Sequence, residues 1–238
     1  MLVLIPPVGL DRGCWDWLKG RGTQAIRYEP PGFGARRGEP APLSLTFLAD
    51  ELAAVLPGGC DVVGVSLGGM IAQHLALRHP GRVRSLLLAA ATAEMDPDIA
   101  LGRAATVERV GMAGVLSETL ERWFSKEALA NPTALPGIAY ARDTLARCDP
   151  ASFAAVWRAM AEHHLRDRLV EIAAPTTCVV GWADRSTPPE EVAMMSAGIP
   201  GARLVTVDGP HLLPLEVPEA FSGVLETHVA SVARWSAA

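Results

Sequence analysis

The segment Gly64-Val65-Ser66-Leu67-Gly68 holds one serine between two glycines, directly after an apolar run that begins at Cys60. A serine at a sharp strand-to-helix turn exposes its hydroxyl, and glycines two positions before and after it leave room for that turn. The helix Gly69–His79 that is predicted next would point the amide of Leu67 into the space above the serine, where a helix N-terminus favours negative charge. The pattern predicts a nucleophile, Ser66, with one oxyanion-binding amide. The alternative is a glycine-rich turn with an incidental serine.

A serine hydroxyl becomes reactive only beside a base, and the base must be oriented by a carboxylate. Among the 6 histidines, His211 follows the last predicted strand, Arg203–Val207, and Asp184 follows the strand Thr176–Val180. Asp184 could instead be a turn residue ahead of Ser186. The order Ser66, Asp184, His211 predicts a catalytic triad. The other histidines fall in predicted helices (His74, His79, His163, His164 and His228), and a solvated surface position is expected for the last of these.

The second oxyanion donor is expected in the loop after the first predicted strand, which reads Pro6-Pro7-Val8-Gly9. Neither proline carries an N–H, so neither can donate a hydrogen bond. The first available amide belongs to Val8, with Gly9 as the weaker option. Val8 and Leu67 are therefore the predicted oxyanion hole.

Six short apolar runs alternate with helical patterns along most of the chain. Because the runs are unbroken, they are typical of strands buried on both faces of a parallel sheet. The alternation predicts a doubly wound α/β sheet. The predicted strands are Leu2–Ile5, Ala25–Tyr28, Asp61–Val65, Ser85–Ala90, Thr176–Val180 and Arg203–Val207, and the helices between them are Leu43–Leu56, Gly69–His79, Glu190–Ala197 and Glu219–Trp235.

The alternation stops once, between Ala91 and Ala174, where only helical patterns occur. This segment predicts a helical cap over the carboxyl edge of the sheet, so the chain divides into core (1–93), cap (94–172) and core (173–238). Ser117 and Asp149 are predicted N-caps of cap helices. The predicted cap helices are Pro97–Leu116, Ser117–Phe124, Gly137–Arg147 and Ser152–Arg168.

Composition restricts the class of protein. A chain of 238 residues that is 50% hydrophobic and has a net charge of −5 can build one large domain and offers no basic surface for nucleic acid or anionic membranes. No apolar run is long enough to span a bilayer, and the five apolar residues at the N-terminus lack the basic region of a signal peptide. The 4 cysteines lack metal-binding spacing. These features predict a cytoplasmic protein with free thiols and no metal.

Several strings beyond the serine motif resemble the α/β-hydrolase superfamily over nearly the whole chain, and among its members 3-oxoadipate enol-lactonases most. They are Met70-Ile71-Ala72-Gln73, Ala91-Thr92-Ala93, Glu121-Arg122-Trp123-Phe124, Cys148-Asp149-Pro150, Asp167-Arg168-Leu169, Thr187-Pro188-Pro189 and Pro218-Glu219-Ala220-Phe221. The resemblance implies an α/β-hydrolase fold and hydrolysis of an ester or lactone of a small molecule. That chemistry requires no metal or organic cofactor.

The chain departs from the family pattern in three places. Pro6-Pro7 stands where the family usually has His-Gly, and the two strands that normally come first are missing. The segment after the second predicted strand, which begins Tyr28-Glu29, lacks the Asp and the Ser of the usual pattern. A sheet of about six strands is therefore expected, with Ala25–Tyr28 at its edge. An uncovered edge strand invites pairing, so a homodimer through this edge, or a covering segment, is a hypothesis.

Substrate choice is expected to depend on the cap. Trp123, Phe124 and Trp157 are candidate pocket residues, although aromatic residues at helical spacing also serve as packing. A dicarboxylate substrate would need a cation, for which Arg122, Arg142 and Arg158 are available. Three alternatives to enol-lactone hydrolysis stay open: a carboxylesterase or other lactonase of small substrates, a carbon–carbon bond hydrolase of vinylogous diketones, and a hydrolase-like ligand receptor.

Overall fold

The computed structural model describes residues 1–40, 44–131 and 135–235. Its strands are β1 (Leu2–Ile5), β2 (Ile26–Arg27), β3 (Cys60–Val65), β4 (Val83–Ala89), β5 (Thr176–Gly181) and β6 (Arg203–Val207). They form one 6-stranded sheet in the order β2-β1-β3-β4-β5-β6, and every neighbouring pair is parallel. The predicted α/β class, the parallel sheet and its number of strands are confirmed.

The burial of the strands explains their composition. All residues of β1, β3 and β5 are buried, as expected for unbroken apolar runs covered on both faces. β2 has 2 residues and lies at one edge, as predicted, where Ile26 is partly exposed. The other edge is β6, which is more exposed. A homodimer through β2 stays a prediction, and light scattering tests it.

The helices are α1 (Leu45–Val55), α2 (Leu67–Arg78), α3 (Pro97–Trp123), α4 (Lys126–Ala130), α5 (Pro136–Ala146), α6 (Pro150–Met160), α7 (Pro189–Gly198), α8 (Leu213–Glu216) and α9 (Pro218–Trp235). The predicted first residue of α1, Leu43, lies outside the described residues. Ser44 caps α1 by accepting a hydrogen bond from the amide of Phe47. α2 begins at Leu67, two residues earlier than predicted, because the turn at Ser66 leads straight into it.

Helices α3 to α6 lie between β4 and β5, and two of the predicted boundaries there are wrong. No helix begins at Ser117, whose hydroxyl instead bonds to Glu121 on the next turn of α3. The break in α3 occurs at Gly111, which has φ 69° and ψ 178°. The predicted helix Ser152–Arg168 ends at Met160. The cap by Asp149, which accepts a hydrogen bond from the amide of Ser152, is confirmed.

The inserted helices rest on loops that follow the carboxyl ends of the strands. The Cys148 thiol donates to the Gly9 carbonyl, at 3.0 Å, in the loop after β1. The Leu212 amide, after β6, donates to the carbonyl of Trp123 at 3.2 Å. These contacts put α3 to α6 over the edge of the sheet at which strand ends meet. The division into ranges 1–93, 94–172 and 173–238 stays a prediction.

The expected surface position of His228 is wrong. Its side chain is buried in α9, with Nε2 3.0 Å from the Ser85 hydroxyl and Nδ1 2.9 Å from that of Thr177. Because Ser85 donates its proton to Asp61, at 2.7 Å, His228 Nε2 donates to Ser85 and Nδ1 accepts from Thr177. Helical periodicity alone could not reveal polar partners on two different strands, β4 and β5.

Within the described ranges, no helix combines the length and apolar character that crossing a membrane requires. Over the same ranges, no three His, Cys, Asp or Glu side chains are grouped to hold a metal ion.

Candidate active site

Ser66 occupies the junction between β3 and α2, in a backbone conformation that is rare for a residue with a side chain. Its φ is 54° and its ψ is −116°. Such a conformation costs about 1–3 kcal/mol and persists only where the surroundings enforce it. Here the Ser66 amide donates to the carbonyl of Ala89 in β4 at 2.8 Å, and its carbonyl accepts from the amides of Gly69 and Met70. The sheet and the helix together therefore hold the serine in the strained turn.

The two flanking glycines are required by contacts between main chains. A Cβ atom on Gly64 would lie 2.2 Å from the carbonyl oxygen of Gly68. A Cβ atom on Gly68 would lie 2.1 Å from the carbonyl oxygen of Ile5, the last residue of β1. No side chain fits at either position, so the glycines let β1, β3 and the start of α2 meet. The sequence motif was expected to need these two glycines because they leave room for the turn at Ser66, and the contacts agree with that reason.

Asp184 and His211 are brought together, although 27 positions separate them along the chain. His211 Nδ1 lies 2.8 Å from Oδ2 and 3.0 Å from Oδ1 of Asp184, and both side chains are buried. Oδ1 of Asp184 also accepts hydrogen bonds from the amides of Ser186 and Thr187, each at 2.8 Å. The carboxylate thus makes both contacts considered for it in the sequence, with the amides of a turn and with an imidazole, and its role in catalysis stays a prediction.

Gly181, the last residue of β5, permits this approach, although it belongs to none of the sequence motifs described above. A Cβ atom there would lie 2.2 Å from the carbonyl oxygen of Pro210, just before His211. The Ala183 amide donates to the Gly209 carbonyl at 3.0 Å. A glycine that ends a strand three residues before a candidate carboxylate is the sequence signal that could have identified Gly181.

The other ring nitrogen of His211 is buried and has no hydrogen-bond partner among the described residues. The structure therefore joins His211 to Asp184 but forms no hydrogen bond between Nε2 and the hydroxyl of Ser66. Catalytic hydrogen bonds are often long before substrate binds.

Trp123, at the end of α3, stacks on the imidazole of His211 with 6.3 Å between ring centroids and 28° between planes. Trp123 therefore packs against His211, and its role in binding substrate stays a prediction.

The two predicted oxyanion amides belong to loops that start at adjacent strands, β1 and β3. Val8 lies in the turn that the Leu10 amide closes on the carbonyl of Pro7, at 3.3 Å. Leu67 is the first residue of α2, and the first four amides of a helix have no acceptor within it. Both side chains are buried. The role of Val8 and Leu67 in binding an oxyanion stays a prediction.

A cavity of about 200 Å³ lies inside the cap, between α3 and α6. Trp157, one of the predicted pocket residues, lines it together with Phe153 and Arg122. Phe153 also faces the loop after β1, since a Cβ atom on Gly9 would lie 2.7 Å from its ring. The Phe153 ring therefore lies between this cavity and the turn that carries the Val8 amide.

The remaining predicted substrate contacts lie elsewhere. Phe124 is fully buried and is not part of the wall of the cap cavity, so its role in binding substrate stays a prediction. Arg158 forms a half-exposed ion pair with Glu108, and Arg142 is exposed. Of the three arginines considered for a dicarboxylate, only Arg122 reaches the cap cavity.

The chain matches the alpha/beta hydrolase family over residues 2–224. It belongs to that family. The predicted superfamily is confirmed, and the relatives of this α/β-hydrolase include both esterases and an enol-lactonase.

Three similar proteins illustrate the range of these relatives. The chain is 31% identical to the pimeloyl-[acyl-carrier protein] methyl ester esterase of Aeromonas hydrophila, over 96% of this chain and 94% of that one. It is 29% identical to 3-oxoadipate enol-lactonase 1 of Acinetobacter baylyi, over 97% and 89% respectively. A solved structure of a thermophilic esterase from Thermogutta terrifontis, with malate bound, is 26% identical and superposes with a TM-score of 0.88, over 97% of this chain and 89% of the other.

Proposed function

We propose that this α/β-hydrolase hydrolyses carboxylic ester or lactone bonds of small molecules with Ser66 as nucleophile, His211 as base and Asp184 as its orienting carboxylate. The observation that carries the proposal is the buried Asp184–His211 pair, whose imidazole has one unpartnered nitrogen. A buried polar atom without a partner is unusual outside functional sites. The strained turn at Ser66 is the second unusual feature of the same sheet edge.

The proposed reaction is acyl transfer to water. Ser66 Oγ attacks the carbonyl carbon while His211 Nε2 takes the hydroxyl proton, and Asp184 stabilises the imidazolium that results. The amides of Val8 and Leu67 donate hydrogen bonds to the oxyanion of the tetrahedral intermediate. His211 then gives the proton to the departing alkoxide, which in a lactone stays attached to the acyl group. Water, deprotonated by His211, attacks the acyl-serine and releases the acid with Ser66 restored.

Two bond types are candidates, and each is supported by a relative. The Aeromonas relative is named for a methyl ester and the Acinetobacter relative for an enol-lactone. We propose an open-chain ester as the first candidate and a lactone as the second, because the esterase is at least as similar and aligns over slightly more of its own length. The triad mechanism serves both, so the difference between them lies in the pocket.

Steady-state hydrolysis of a panel tests the proposal. The panel contains methyl esters, short p-nitrophenyl esters, simple lactones, an enol-lactone and a dienol diketone that reports carbon–carbon cleavage. We expect Ser66→Ala to lower kcat by about four orders of magnitude or more on every accepted ester or lactone. Ser117→Ala, an exposed serine on α3, is the matched control and should keep wild-type rates. Unchanged rates in Ser66→Ala would rule out the nucleophile.

Covalent labelling separates an enzyme from a ligand receptor with the same fold. A fluorophosphonate probe should add one label to the wild-type chain, at Ser66, and none to Ser66→Ala. Intact-mass measurement followed by peptide mapping gives the site. A wild-type chain that stays unlabelled would contradict the activated serine.

A further inference from the structure

The turn after β1, which comprises residues 7–10, is held by a bond between two of its own peptide groups. The Leu10 amide donates to the carbonyl of Pro7 at 3.3 Å, and Gly9 has φ 77°, as the third position of a type II turn requires. A peptide group is planar, and in its trans form the carbonyl and the N–H point in opposite directions. The bond that holds the Pro7 carbonyl inside the turn therefore directs the Val8 N–H out of it.

The cap supplies the preceding bond of the same series. Cys148, in the link between α5 and α6, donates from its thiol to the carbonyl of Gly9 at 3.0 Å. That carbonyl belongs to the peptide group whose N–H is the Leu10 amide. Hydrogen bonds thus connect the Cys148 thiol through two peptide groups to the Val8 N–H, which is the last donor of the series.

Hydrogen bonds that follow one another in this way strengthen each other. A carbonyl that accepts a hydrogen bond makes the N–H of its own peptide group a stronger donor, and this polarisation adds roughly 10–30% per bond. The series ends at the Val8 amide, which belongs to the proposed oxyanion hole. Removal of one oxyanion donor costs about 10²–10³ in kcat, so a modest change in the direction or strength of that donor is measurable as a rate.

The thiol has the protonation state that the series requires. Burial, with the negative charge of Asp11 as a smaller cause, raises the pKa of Cys148 to about 12. The thiol therefore keeps its proton at neutral pH and can donate it to an acceptor. A thiolate would instead repel the carbonyl oxygen of Gly9.

Other side chains of the cap fix the position of the turn independently of the thiol. A Cβ atom on Gly9 would lie 2.7 Å from Leu145 of α5 and 2.7 Å from Phe153 of α6, so both side chains pack against the glycine. Tyr140 of α5 donates to Asp11 Oδ1 at 2.7 Å. Loss of the thiol alone should therefore leave the turn in place and the chain folded.

The chain that leads into this turn lies against the start of α2, where the second proposed oxyanion amide is found. The carbonyl oxygens of Ile5 and Pro6 would lie 2.1 Å and 2.9 Å from a Cβ atom on Gly68. Gly68 follows Leu67, the first residue of α2. The contact is therefore made at the position next to the Leu67 amide, and the series connects a cap side chain to the proposed oxyanion hole.

We propose that Cys148 is a positioning residue for the oxyanion hole, whose thiol orients and strengthens the Val8 amide through the two intervening peptide groups. This inference rests on the proposed function and adds to it a side chain of the cap that acts on another donor rather than on the substrate. The thiol matters most when the oxyanion forms, since the ground-state carbonyl carries less negative charge. Its loss should therefore lower kcat and leave KM nearly unchanged.

Steady-state hydrolysis of p-nitrophenyl acetate compares three variants. Cys148→Ala should lower kcat about tenfold and change KM less than about twofold. Cys148→Ser, which restores a donor, should recover to within about threefold of the wild-type kcat. Cys60→Ala is the matched control, because the Cys60 thiol donates to the carbonyl of Pro57, at 3.3 Å, at the amino end of β3. It should keep the wild-type kcat.

A short alkyl trifluoromethyl ketone reports the same effect at equilibrium. Ser66 Oγ bonds to its carbonyl carbon, the hydroxyl proton passes to His211, and the ketone oxygen becomes the oxyanion. This inhibitor should bind about tenfold more weakly to Cys148→Ala, by the same factor as the loss of kcat. Unchanged inhibitor affinity, a rise in KM at constant kcat, or an equal loss of kcat in Cys60→Ala would each overturn the positioning role.

Amide NMR spectra test the series without any reaction. The amide protons of Leu10 and Val8 should shift upfield in Cys148→Ala, because each loses part of its polarisation. They should move back in Cys148→Ser and stay unchanged in Cys60→Ala. Unchanged resonances in Cys148→Ala would overturn this inference and leave the proposed function intact. A wild type whose spectra show the series but which hydrolyses no ester or lactone would contradict the proposed function, and with it the role of the thiol in catalysis.

Discussion

Asp184 combines contacts that stabilise a turn with the contact to His211 on which the proposed mechanism depends. One oxygen accepts two main-chain hydrogen bonds that close the turn after β5, and the carboxylate also contacts His211. The two functions can be separated because an amide of the same shape keeps an acceptor oxygen but loses the charge. Substitutions of this single residue can therefore test the proposed mechanism separately from local stability.

We expect Asp184→Asn to lower kcat by about 10⁴ and to change the melting temperature little, since Oδ1 can still accept from Ser186 and Thr187. Asp184→Ala should lose the same activity and also melt at a lower temperature, because two buried amides lose their acceptor. Ester hydrolysis and thermal unfolding of both variants provide the comparison. Equal melting temperatures for the two would contradict the structural function of the turn.

At the scale of elements, main-chain contacts at the carboxyl edge of the sheet set the position of every proposed catalytic group. Gly68 lets the start of α2 touch the end of β1, and Gly181 lets the loop of His211 touch the end of β5. Both contacts bring main-chain atoms closer together than any side chain would allow. Loops that follow parallel strands meet at one edge, where α/β proteins bind their ligands.

Gly68→Ala should therefore cost stability or prevent folding, because its Cβ atom would lie 2.1 Å from a main-chain oxygen. The matched control is Gly223→Ala on the exposed face of α9, where a Cβ atom meets nothing within 4 Å. That change should stabilise the chain by up to about 1 kcal/mol, because alanine favours helix. Urea unfolding of both variants measures their free energies of unfolding, which should fall for Gly68→Ala and rise for Gly223→Ala. A Gly68→Ala protein as stable as the wild type would contradict the close contact between α2 and β1.

At the scale of the whole molecule, buried histidines join distant parts of the chain. His163, after the cap helices, donates from Nε2 to the carbonyl of Thr92 at 3.0 Å, and its Nδ1 accepts from His74 Nε2 of α2 at 3.2 Å. His228 connects α9 directly to β4 and β5, and Ser85 extends the connection to Asp61 of β3. Burial lowers the pKa of His163 to about 3, and the pKa values of His74 and His228 to about 4.

These shifts give stability a pH dependence of definite sign. The folded pKa of each group lies below the unfolded value of about 6.5, so the unfolded chain binds more protons at acidic pH. The contribution of these neutral histidines to the free energy of unfolding is complete above a pH of about 6.5 and is lost progressively as the pH falls towards 4. Each histidine contributes up to about 1.4 kcal/mol per pH unit within this window.

Urea unfolding between pH 7 and pH 5 measures the effect. His163→Gln should show a smaller loss of unfolding free energy over this range than the wild type. His164→Gln, at the neighbouring exposed position, should show the wild-type loss. The same pH dependence in all three proteins would mean that His163 is not buried in its neutral form.

The sequence by itself determined the strands, their parallel arrangement and the order of the candidate catalytic residues. Buried parallel strands are short apolar runs, and a strained serine turn requires glycines at fixed distances, so both appear in adjacent residues. Only the tertiary structure decided the break of α3 at Gly111, the burial of His228, and the contact of the Cys148 thiol with the turn after β1. Each of these depends on packing between segments far apart in the chain, and no local pattern records which residues lose their contact with water when those segments meet.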